Sequence, residues 1–534
     1  RPGGKQGHGI EMLKTWHIAA ALAALTAWAP PTAARAQTLT VGSASVIGSL
    51  DPHFYNVGPN NAIASTFFDR MLESDERARI RPGLLESWRL VSNDTWEFRL
   101  RPGVRFHNGA EFTADDIAFT IARLPTVVNS PGSFTTYTRQ IRAVEVVDPL
   151  TVRIRTNGPQ PTLLVDLARL AVLNRRTHEN ATTDDFNAGR AVIGTGPYRL
   201  VEHRPSDRIL MARNDEYWGE KPRWERVDYR MVTNDPARTA ALLAGDLDVI
   251  EQVPTSDVAR LRRDPRVTLS EVESLRNAFL VTDQSRDGPT PFVTDNEGKP
   301  LPRNPLRDAR VRQALSLAID RQAIVERVME GNATATMQFV GPGVFGHVPD
   351  LQPPRADPAA ARRLLAEAGY PNGFRITLHG SNDRYPNDAR TLQAIGQMWT
   401  RIGVRTQVEA IPFSTLISRS SRQEFSVWFA SWGASTGETG GAMRSVLATY
   451  DRERGMGAVN RGRYSNPEFD SRLIAATQEM DDEKRERMLQ DAMRFVMADT
   501  PIIPLMLFRN VWAMRKGITH TPRADELTRP QDFR

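Results

Sequence analysis

The side chains that could do chemistry first come together in one short stretch, where a histidine precedes an adjacent pair of acids. His107 is followed within a few residues by Asp115 and Asp116. Imidazole and carboxylate groups are common zinc ligands and common proton carriers in catalysis. The stretch therefore raises two alternatives, a metal or catalytic site and a structural element.

The neighbouring residues favour the structural alternative. Thr113 precedes the acids, and Ile117 and Ile121 continue at helical spacing, so a helix is predicted to begin at residue 114. Thr113 can cap this helix, and Asp116 can complete a capping box with it. The histidines of the chain are scattered, with no pair at helical spacing, so we predict no metal site and no cofactor. A haem or a nickel chelate stays an alternative ligand, because scattered groups can hold one.

A second motif points to nucleophilic catalysis. Residues 433–437 match the G-x-S-x-G pattern of hydrolases, with Ser435 as the nucleophile, and a strand-like segment precedes them. The hydrolase elbow passes directly from strand to helix, whereas glycine and polar residues intervene here. Asp470 and His520 follow downstream, in the order of a catalytic triad. An exported serine hydrolase that uses Ser435 is therefore the alternative function, and we predict that the protein is not an enzyme.

The N-terminal segment predicts export. A polar, basic start at 12–17 is followed by an apolar run of 11 residues from Ile18 to Trp28 and by an A-x-A pattern at 34–36. These features are typical of a signal peptide, which we place at residues 1–36, with 1–11 as an upstream extension. The apolar run is too short to span a bilayer. We therefore expect a soluble, exported protein.

The composition excludes several functional classes. The chain has no cysteine, which excludes disulfides, thiolate metal sites and a cysteine nucleophile. Its net charge of +6 is spread over 534 residues without a basic block, which argues against a nucleic-acid partner. Its length exceeds that of one compact core, so two or more lobes are expected.

The order of predicted elements favours a mixed α/β fold. A strand at 226–232 precedes a helix that we expect to be capped by Asp235 and to end at Gly245, and a strand at 247–253 follows. A second unit of this kind has a strand at 374–379, a helix at 387–402 and a strand at 404–411. Such βαβ units predict that parts of the sheet are parallel.

Six segments, in order along the chain, carry a resemblance to a known family. They are GVRFHNGAEFTADDIAFTIARL (103–124), GTGPYRL (194–200), RNDEYWGEKP (213–222), VRQALSLAIDRQAIVERVMEG (311–331), DPAAARRLLAEAGYPNGF (357–374) and YSNPEFD (464–470). Together they resemble the family 5 extracellular solute-binding proteins, the peptide- and nickel-type receptors of ABC importers. Each match alone is weak, and their shared order makes the resemblance specific.

The resemblance implies a two-lobed periplasmic binding protein fold with an extra domain and a ligand cleft between the lobes. It implies lobe I at 37–81, 191–284 and 499–534, the extra domain at 82–190, and lobe II at 285–498. It also implies a monomeric periplasmic receptor that closes about a hinge on a small or peptide-like solute. The closed form would deliver this ligand to the permease subunits of an ABC importer in the inner membrane, and a sensing role is an alternative to import.

The resemblance also assigns ligand-binding residues. In the dipeptide receptors of the family, an arginine followed by a tyrosine takes the peptide carboxylate, and Arg384 and Tyr385 stand at the matching place here. Trp432 matches a tryptophan of the ligand wall. The aspartate that pairs with the peptide ammonium in those receptors is replaced by Ser435, and Glu438 could substitute for it.

These replacements change the expected ligand. A guanidinium suits a carboxylate because it offers two parallel donors, whereas a serine cannot offset the desolvation of an ammonium. We therefore expect an acidic or oxygen-rich solute, or a modified peptide, and not an ordinary dipeptide with a free amine. Arg384 could instead be a plain surface or interlobe ion-pair residue, since surface arginines are common.

Overall fold

The computed structural model describes residues 3–4 and 37–534. Apart from residues 3–4, the predicted signal peptide lies outside the described residues and stays a prediction.

The strands of the described chain range in length from two to sixteen residues. They are β1 (Thr38–Ser43), β2 (Leu72–Ser74), β3 (Ile80–Pro82), β4 (Leu85–Ser92), β5 (Thr95–Leu100), β6 (Ile141–Asp148), β7 (Thr151–Thr156), β8 (Tyr198–Arg204), β9 (Arg208–Arg213), β10 (Arg226–Met231), β11 (Val249–Ile250), β12 (Val267–Thr282), β13 (Val293–Thr294), β14 (Ala333–Ala335), β15 (Phe374–Ser381), β16 (Val404–Ile411), β17 (Val427–Gly433) and β18 (Ile502–Arg515).

The helices are mostly of two to four turns. They are α1 (Gly58–Phe67), α2 (Ala114–Arg123), α3 (Leu163–Leu167), α4 (Arg175–His178), α5 (Thr183–Asn187), α6 (Asp235–Ala244), α7 (Thr255–Arg263), α8 (Ala309–Leu317), α9 (Arg321–Ala323), α10 (Pro358–Glu367), α11 (Asp388–Arg401), α12 (Phe413–Ser421), α13 (Thr439–Ala442), α14 (Pro467–Gln478) and α15 (Asp482–Ala498). Short 3₁₀ turns lie at Leu124–Thr126, Phe134–Tyr137, Pro305–Arg307 and Pro530–Asp532, and π-helical turns lie at Ile324–Val328 and Met443–Leu447.

One large sheet runs through both lobes. Its strand order is β13-β15-β17-β12-β18-β11-β1-β10-β9-β8, and β14 and β16 join it at β18 and β15. The strand β1 pairs parallel with β10 and β11, and β15 pairs parallel with β16 and β17. The remaining pairs at the centre are antiparallel. The predicted mixed α/β fold with parallel parts is therefore confirmed.

Each part of the molecule has its own apolar core. In the part predicted as lobe II one cluster, with Trp399, covers one face of the sheet, and another, with Trp428, covers the opposite face. The cluster around Tyr229 lies in the part predicted as lobe I. A separate four-stranded sheet, in the order β4-β5-β7-β6, packs against α2 through Phe98 and Ile117. This sheet and its core lie inside the range predicted for the extra domain.

The two longest strands connect the lobes. The pairing of β12 with β18 shifts its register between Glu273 and Asn277. Residues of β12 before the shift pair with the end of β18, and residues after it pair with the beginning of β18. Because Ile503 and Phe508 belong to the lobe II core, we propose that the lobe boundary lies inside these strands, near the shift, and not at residues 285 and 498.

Local signals predict helix starts well, with one exception. The capping box at α2 is confirmed, since the Asp116 carboxylate accepts a hydrogen bond from the Thr113 backbone N–H at 2.9 Å. In α6 the predicted cap, Asp235, is wrong by one position. Asn234 is the cap and its Oδ1 accepts from the Ala237 N–H at 3.0 Å. Asn and Asp cap equally well. Where they are adjacent, the conformation of the turn before the helix decides which of them occupies the N-cap position.

The strand predicted over 247–253 is shorter than expected. Only Val249 and Ile250 pair with neighbouring strands. The chain then turns at Pro254, which precedes the first residue of α7. This turn brings the N-terminal end of α7 to the junction of the lobes, where it forms part of the site described next.

Candidate functional site

A cleft of about 780 Å³ lies where the two lobes meet. Its walls come from the loop before α6, the segment before α7, the loop between β15 and α11, and the middle of β18, and the lining residues are 44–45, 233–236, 251–256, 276, 332, 382–387, 508–512, 526 and 528. A smaller cavity of about 390 Å³ is lined by Tyr217, Lys221 and Arg534 of lobe I. Of these two, the larger cleft is lined by both lobes, so it is the candidate ligand site.

The loop that carries Arg384 and Tyr385 is held by the first residue of the following helix. Asp388 is buried, and its Oδ2 accepts from the Ser381 hydroxyl at 2.7 Å. The same oxygen accepts from the backbone N–H groups of Arg384 and Tyr385 at 3.3 and 3.2 Å. The carboxylate therefore fixes the turn after β15 and aims both residues at the cleft.

Arg384 presents an unpaired guanidinium to the cleft. Its side chain is exposed, and it makes no ion pair with any residue that the structure describes. The guanidinium lies over the rings of Tyr385 and Phe413, at 5.3 and 5.6 Å from their centroids. Stacking on aromatic rings orients a guanidinium without neutralising its charge. Arg384 is therefore available to an anionic ligand.

Tyr385 is packed against apolar residues and stays protonated. Its ring lies 5.8 Å from that of Phe429 and 6.0 Å from that of Phe508. Burial raises the pKa of Tyr385, and the positive charges of Arg384 and Arg276 act in the opposite sense. The hydroxyl is therefore a neutral hydrogen-bonding group within electrostatic reach of both guanidiniums.

A second arginine, Arg276, lines the cleft from the hinge. Its Nε lies 3.0 and 3.2 Å from the two carboxylate oxygens of Glu526, and its Nη2 lies 3.1 Å from one of them. Both residues line the same cleft as Arg384. No local sequence pattern indicates this pair, because its members are separated by 250 positions.

Trp432 lies on the opposite face of the lobe II sheet from Tyr385. Side chains alternate along a strand, and in β17 Trp432 packs with the cluster around Trp428, whereas Tyr385 packs with the cluster around Phe429. Trp432 does not line the cleft. The structure therefore does not bring Trp432 together with Arg384.

Ser435 and Glu438 lie beyond the end of β17, where lobe II meets the first part of the chain. A Cβ on Gly437 would lie 2.7 Å from the backbone oxygen of Ala78, so the two segments are in close contact. The Glu438 carboxylate accepts from Arg485 Nη1 at 2.6 Å, and both side chains are almost fully buried. Its charge is already compensated, so Glu438 offers no free carboxylate for a ligand ammonium.

The arrangement around Ser435 lacks the geometry of a hydrolase elbow. The strand β17 ends at Gly433, and α13 begins only at Thr439. His520 Nδ1 lies 3.0 Å from the Ser270 hydroxyl, in lobe I. The downstream acid is engaged elsewhere, since Asp470 accepts from the Thr449 backbone N–H at 3.0 Å. Ser435 therefore has neither the turn nor the histidine partner that nucleophilic catalysis needs.

His107, the residue that first indicated possible chemistry, has a structural role. Its Nδ1 accepts from the Gly194 N–H at 3.3 Å, and its Nε2 lies 3.0 Å from the Gly196 carbonyl oxygen, to which it donates. Burial lowers the pKa of His107 to about 4, so the imidazole is neutral near pH 7. It joins the turn at 194–198 to the extra domain. Within the described residues, no cluster of three or more His, Asp or Glu side chains could hold a metal ion.

Across residues 3–4 and 37–534, no helix is both long enough and apolar enough to cross a membrane.

Comparisons with known proteins agree with the architecture. Residues 79–453 match the model of the bacterial extracellular solute-binding proteins, family 5. The chain is 29% identical over 514 residues to the glutathione-binding protein GsiB of Salmonella typhimurium, covering 94% of this chain and 95% of that protein. It is 28% identical over 476 residues to the heme-binding protein A of Haemophilus influenzae, covering 83% of this chain and 82% of that protein.

Solved structures show the same fold. HbpA2 from Haemophilus parasuis superposes with a TM-score of 0.79 at 25% identity, covering 93% of this chain and 99% of that one. The periplasmic binding protein DppA from Helicobacter pylori, in complex with the peptide STSA, superposes with a TM-score of 0.76 at 22% identity, covering 93% and 97% of the two chains. Both the motifs and the two-lobed fold lead to one assignment, and the chain belongs to the family 5 bacterial extracellular solute-binding proteins.

Proposed function

We propose that this protein captures an acidic, peptide-like solute in the interlobe cleft and delivers it to the permease of an ABC importer, without catalysis. It would act as an exported periplasmic monomer that closes about the hinge formed by β12 and β18. The observation that carries the ligand class is the unpaired guanidinium of Arg384 in a cleft lined by both lobes.

The charge distribution around the cleft supports an anionic ligand. Arg384 has no acidic partner among the described residues, whereas Glu438, which could have matched a ligand ammonium, is paired with Arg485. Ser435 carries no charge. An ammonium that loses its water without gaining a carboxylate partner is costly, so the amine of a peptide-like ligand would have to stay in contact with solvent, and a ligand with more carboxylates than amines is favoured. A ligand carboxylate would meet two parallel donors of Arg384 and the hydroxyl of Tyr385.

The names of the relatives agree with this ligand class. One relative is called a glutathione-binding protein, and glutathione carries two carboxylates. We propose that this chain binds glutathione or a similar acidic peptide derivative.

Calorimetry of ligand binding tests the proposal. We expect glutathione to bind the wild-type protein more tightly than Ala-Ala, an unmodified neutral dipeptide. Arg384→Ala should weaken glutathione binding by ~1.5–3 kcal/mol, the range for a lost hydrogen bond to a charged group. Arg363→Ala is the matched control, since Arg363 is an exposed residue of α10 outside the cleft. Tight binding of Ala-Ala, or equal glutathione affinity in Arg384→Ala, would contradict the proposed anchor.

A further inference from the structure

The part of the cleft lining that β12 contributes contains an arginine whose donors are only partly used. Arg276 bonds Glu526 through Nε and Nη2, and its Nη1 has no partner among residues 37–534. The side chain is about a quarter exposed, at 27%. A guanidinium has five N–H donors, so Arg276 can bind Glu526 and still offer donors to the cleft.

The backbone around Arg276 fixes this position. Arg276 directly precedes Asn277, where regular pairing of β12 with β18 resumes after the register shift. The Leu275 N–H donates to the Ala524 carbonyl oxygen at 2.9 Å, and the Ser274 hydroxyl donates to Glu526 at 2.8 Å. The bulge in β12 is thus tied to the C-terminal segment that carries Glu526, which makes the pair a fixed part of the cleft wall.

Two further features show that the local backbone accommodates this pair. A Cβ on Gly433 would lie 3.1 Å from Arg276 Nη2, so the glycine at the end of β17 leaves room for the guanidinium. Glu526 has a φ of 68°, a left-handed conformation that non-glycine residues rarely adopt. Such unfavourable backbone conformations are concentrated at functional sites. The position of the carboxylate is therefore maintained at a conformational cost.

The two arginines differ in how their charge is balanced. Arg384 is unpaired, and Arg276 is partly neutralised by Glu526. The Tyr385 hydroxyl is within electrostatic reach of both. Since the two guanidiniums belong to different segments of the cleft lining, β12 and the β15–α11 loop, a ligand with two anionic groups could place one on each.

We propose that Arg276 is a second anion-binding residue of the cleft, which selects ligands with two carboxylates, and that Glu526 tunes this selection by competing for the guanidinium. This inference rests on the proposed function, because it assumes that Arg384 binds the first carboxylate. A ligand with one carboxylate would leave the Arg276–Glu526 pair as it is. A dicarboxylate would use the free donors of Arg276 and share them with Glu526.

Three probes separate the two anion contacts. They are glutathione, glutathione with its glycine carboxylate amidated, and glutathione with its glutamyl α-carboxylate amidated. Each amide removes one negative charge with little change of shape. Calorimetry with the full-length protein gives the affinity of each probe for the wild type and for Arg276→Gln, Glu526→Gln, Arg384→Gln and the exposed control Arg363→Gln, which makes the same change of charge outside the cleft.

We expect Arg276→Gln and Arg384→Gln to reduce the affinity for different probes. Arg276→Gln should weaken glutathione about 10-fold or more, the lower end for a lost charged hydrogen bond, and should leave the affinity of one of the two amides unchanged. Arg384→Gln should leave the affinity of the other amide unchanged. Glu526→Gln retains Arg276 and removes the competing charge, so it should tighten glutathione binding about 3- to 10-fold. Arg363→Gln should match the wild type with all three probes.

Other patterns overturn the inference. If Arg276→Gln weakens all three probes equally, or none, while Arg384→Gln weakens glutathione, the Arg276–Glu526 pair only stabilises the hinge, and the proposed function stands. If the wild type binds none of the three probes, the proposed function is wrong and this inference with it. Melting temperatures of the variants show whether a loss of binding comes from misfolding. If Arg276→Gln does not fold, Glu526→Gln gives an independent answer. Unchanged or weaker glutathione binding by Glu526→Gln would contradict the proposed competition for Arg276.

Discussion

His107 is held neutral chiefly by its burial against the turn that it contacts. Protonation would place an N–H on Nδ1 against the Gly194 N–H, which now donates to it. Burial, with a smaller contribution from the positive charge of Arg199, lowers the pKa of His107 to about 4, although the hydrogen bond to the Gly196 carbonyl oxygen acts in the opposite sense. An unfolded histidine titrates near 6.5, so between these values the unfolded state binds more protons. This linkage stabilises the fold above pH 6.5 and weakens it as the pH falls toward 4.

The first prediction follows from this histidine. In urea titrations between pH 7 and pH 4, His107→Asn should lose less stability than the wild type over that interval. The expected difference is up to ~2 kcal/mol, after a discount for the partial exposure of the ring. Equal slopes in the two proteins would show that His107 does not titrate with folding.

Asp69 gives the free energy of unfolding a pH dependence of the opposite sign. Its carboxylate accepts from the Tyr217 hydroxyl at 3.0 Å and from the Trp218 indole at 2.7 Å. Burial, together with the negative charge of Glu73, raises the pKa of Asp69 to about 7. The folded state therefore binds more protons than the unfolded state between about pH 4 and 7, and stability is lost as the pH rises through 7.

The second prediction concerns the removal of this carboxylate. Asp69→Asn cannot ionise, so its stability between pH 5 and 8 should decline less with rising pH than that of the wild type, by roughly 2–4 kcal/mol over the window. Thermal melts at constant ionic strength measure the difference. A steeper decline in Asp69→Asn would contradict the raised pKa of the carboxyl group.

Among the elements of the fold, the turn at 194–198 depends on its glycines because the backbone of α1 passes so close. A Cβ on Gly194 would lie 2.0 Å from the carbonyl oxygen of Phe67, a distance that forces the helix and the turn apart. Gly158 has no atom within 4 Å of its own Cβ position. The two glycines therefore differ in how closely they are packed, and Gly158 can serve as the control for a substitution at Gly194.

The third prediction compares these glycines. Gly194→Ala should destabilise the protein by ~2 kcal/mol or more, the cost of forcing atoms into a packed region, and should lower the melting temperature. Gly158→Ala should change it little, and could raise it slightly by reducing the freedom of the unfolded chain. Equal melting temperatures of the two variants would contradict the close approach of α1 to the turn.

The elements also show what sequence can and cannot predict. The capping box at α2 follows from Thr113 and Asp116, three positions apart, and the βαβ units follow from local periodicity. The Arg276–Glu526 pair depends on segments 250 positions apart, which only the tertiary fold brings together. Alternation in β17 predicts that Trp432 and Ser431 face opposite ways, but it does not tell which of them faces Tyr385.

At the scale of the whole molecule, a hydrogen bond joins the two lobes across the cleft. The Asn387 side chain of lobe II donates to the Thr255 hydroxyl at the start of α7 at 2.7 Å, and it also donates to the Val328 carbonyl oxygen at 2.9 Å. The bond to Thr255 joins the loop beside Arg384 to lobe I. It therefore favours the conformation in which the lobes are close together.

The fourth prediction tests this bridge. Thr255→Val keeps the shape of the side chain and removes its hydroxyl, so the closed conformation should lose ~0.5–1.5 kcal/mol. Bound glutathione should dissociate about 2- to 10-fold faster in stopped-flow fluorescence, with Arg384 unchanged. An unchanged dissociation rate would show that this hydrogen bond does not hold the lobes together.

The two strands that cross between the lobes have a consequence for inheritance. Val281 of β12 pairs with Ile502 of β18, so residues 282–501 form one continuous insertion whose ends are neighbours in space. Two recombination events at these adjacent points would exchange this whole segment, because domain insertions with adjacent ends are well tolerated. The incoming segment would have to pack against the apolar residues that β12 and β18 retain, such as Leu280 and Ile503. Such an exchange would replace Arg384 and Tyr385 and leave Arg276 and Glu526 in place. The two halves of ligand recognition can therefore be inherited separately, and a new specificity can arise from one genetic exchange.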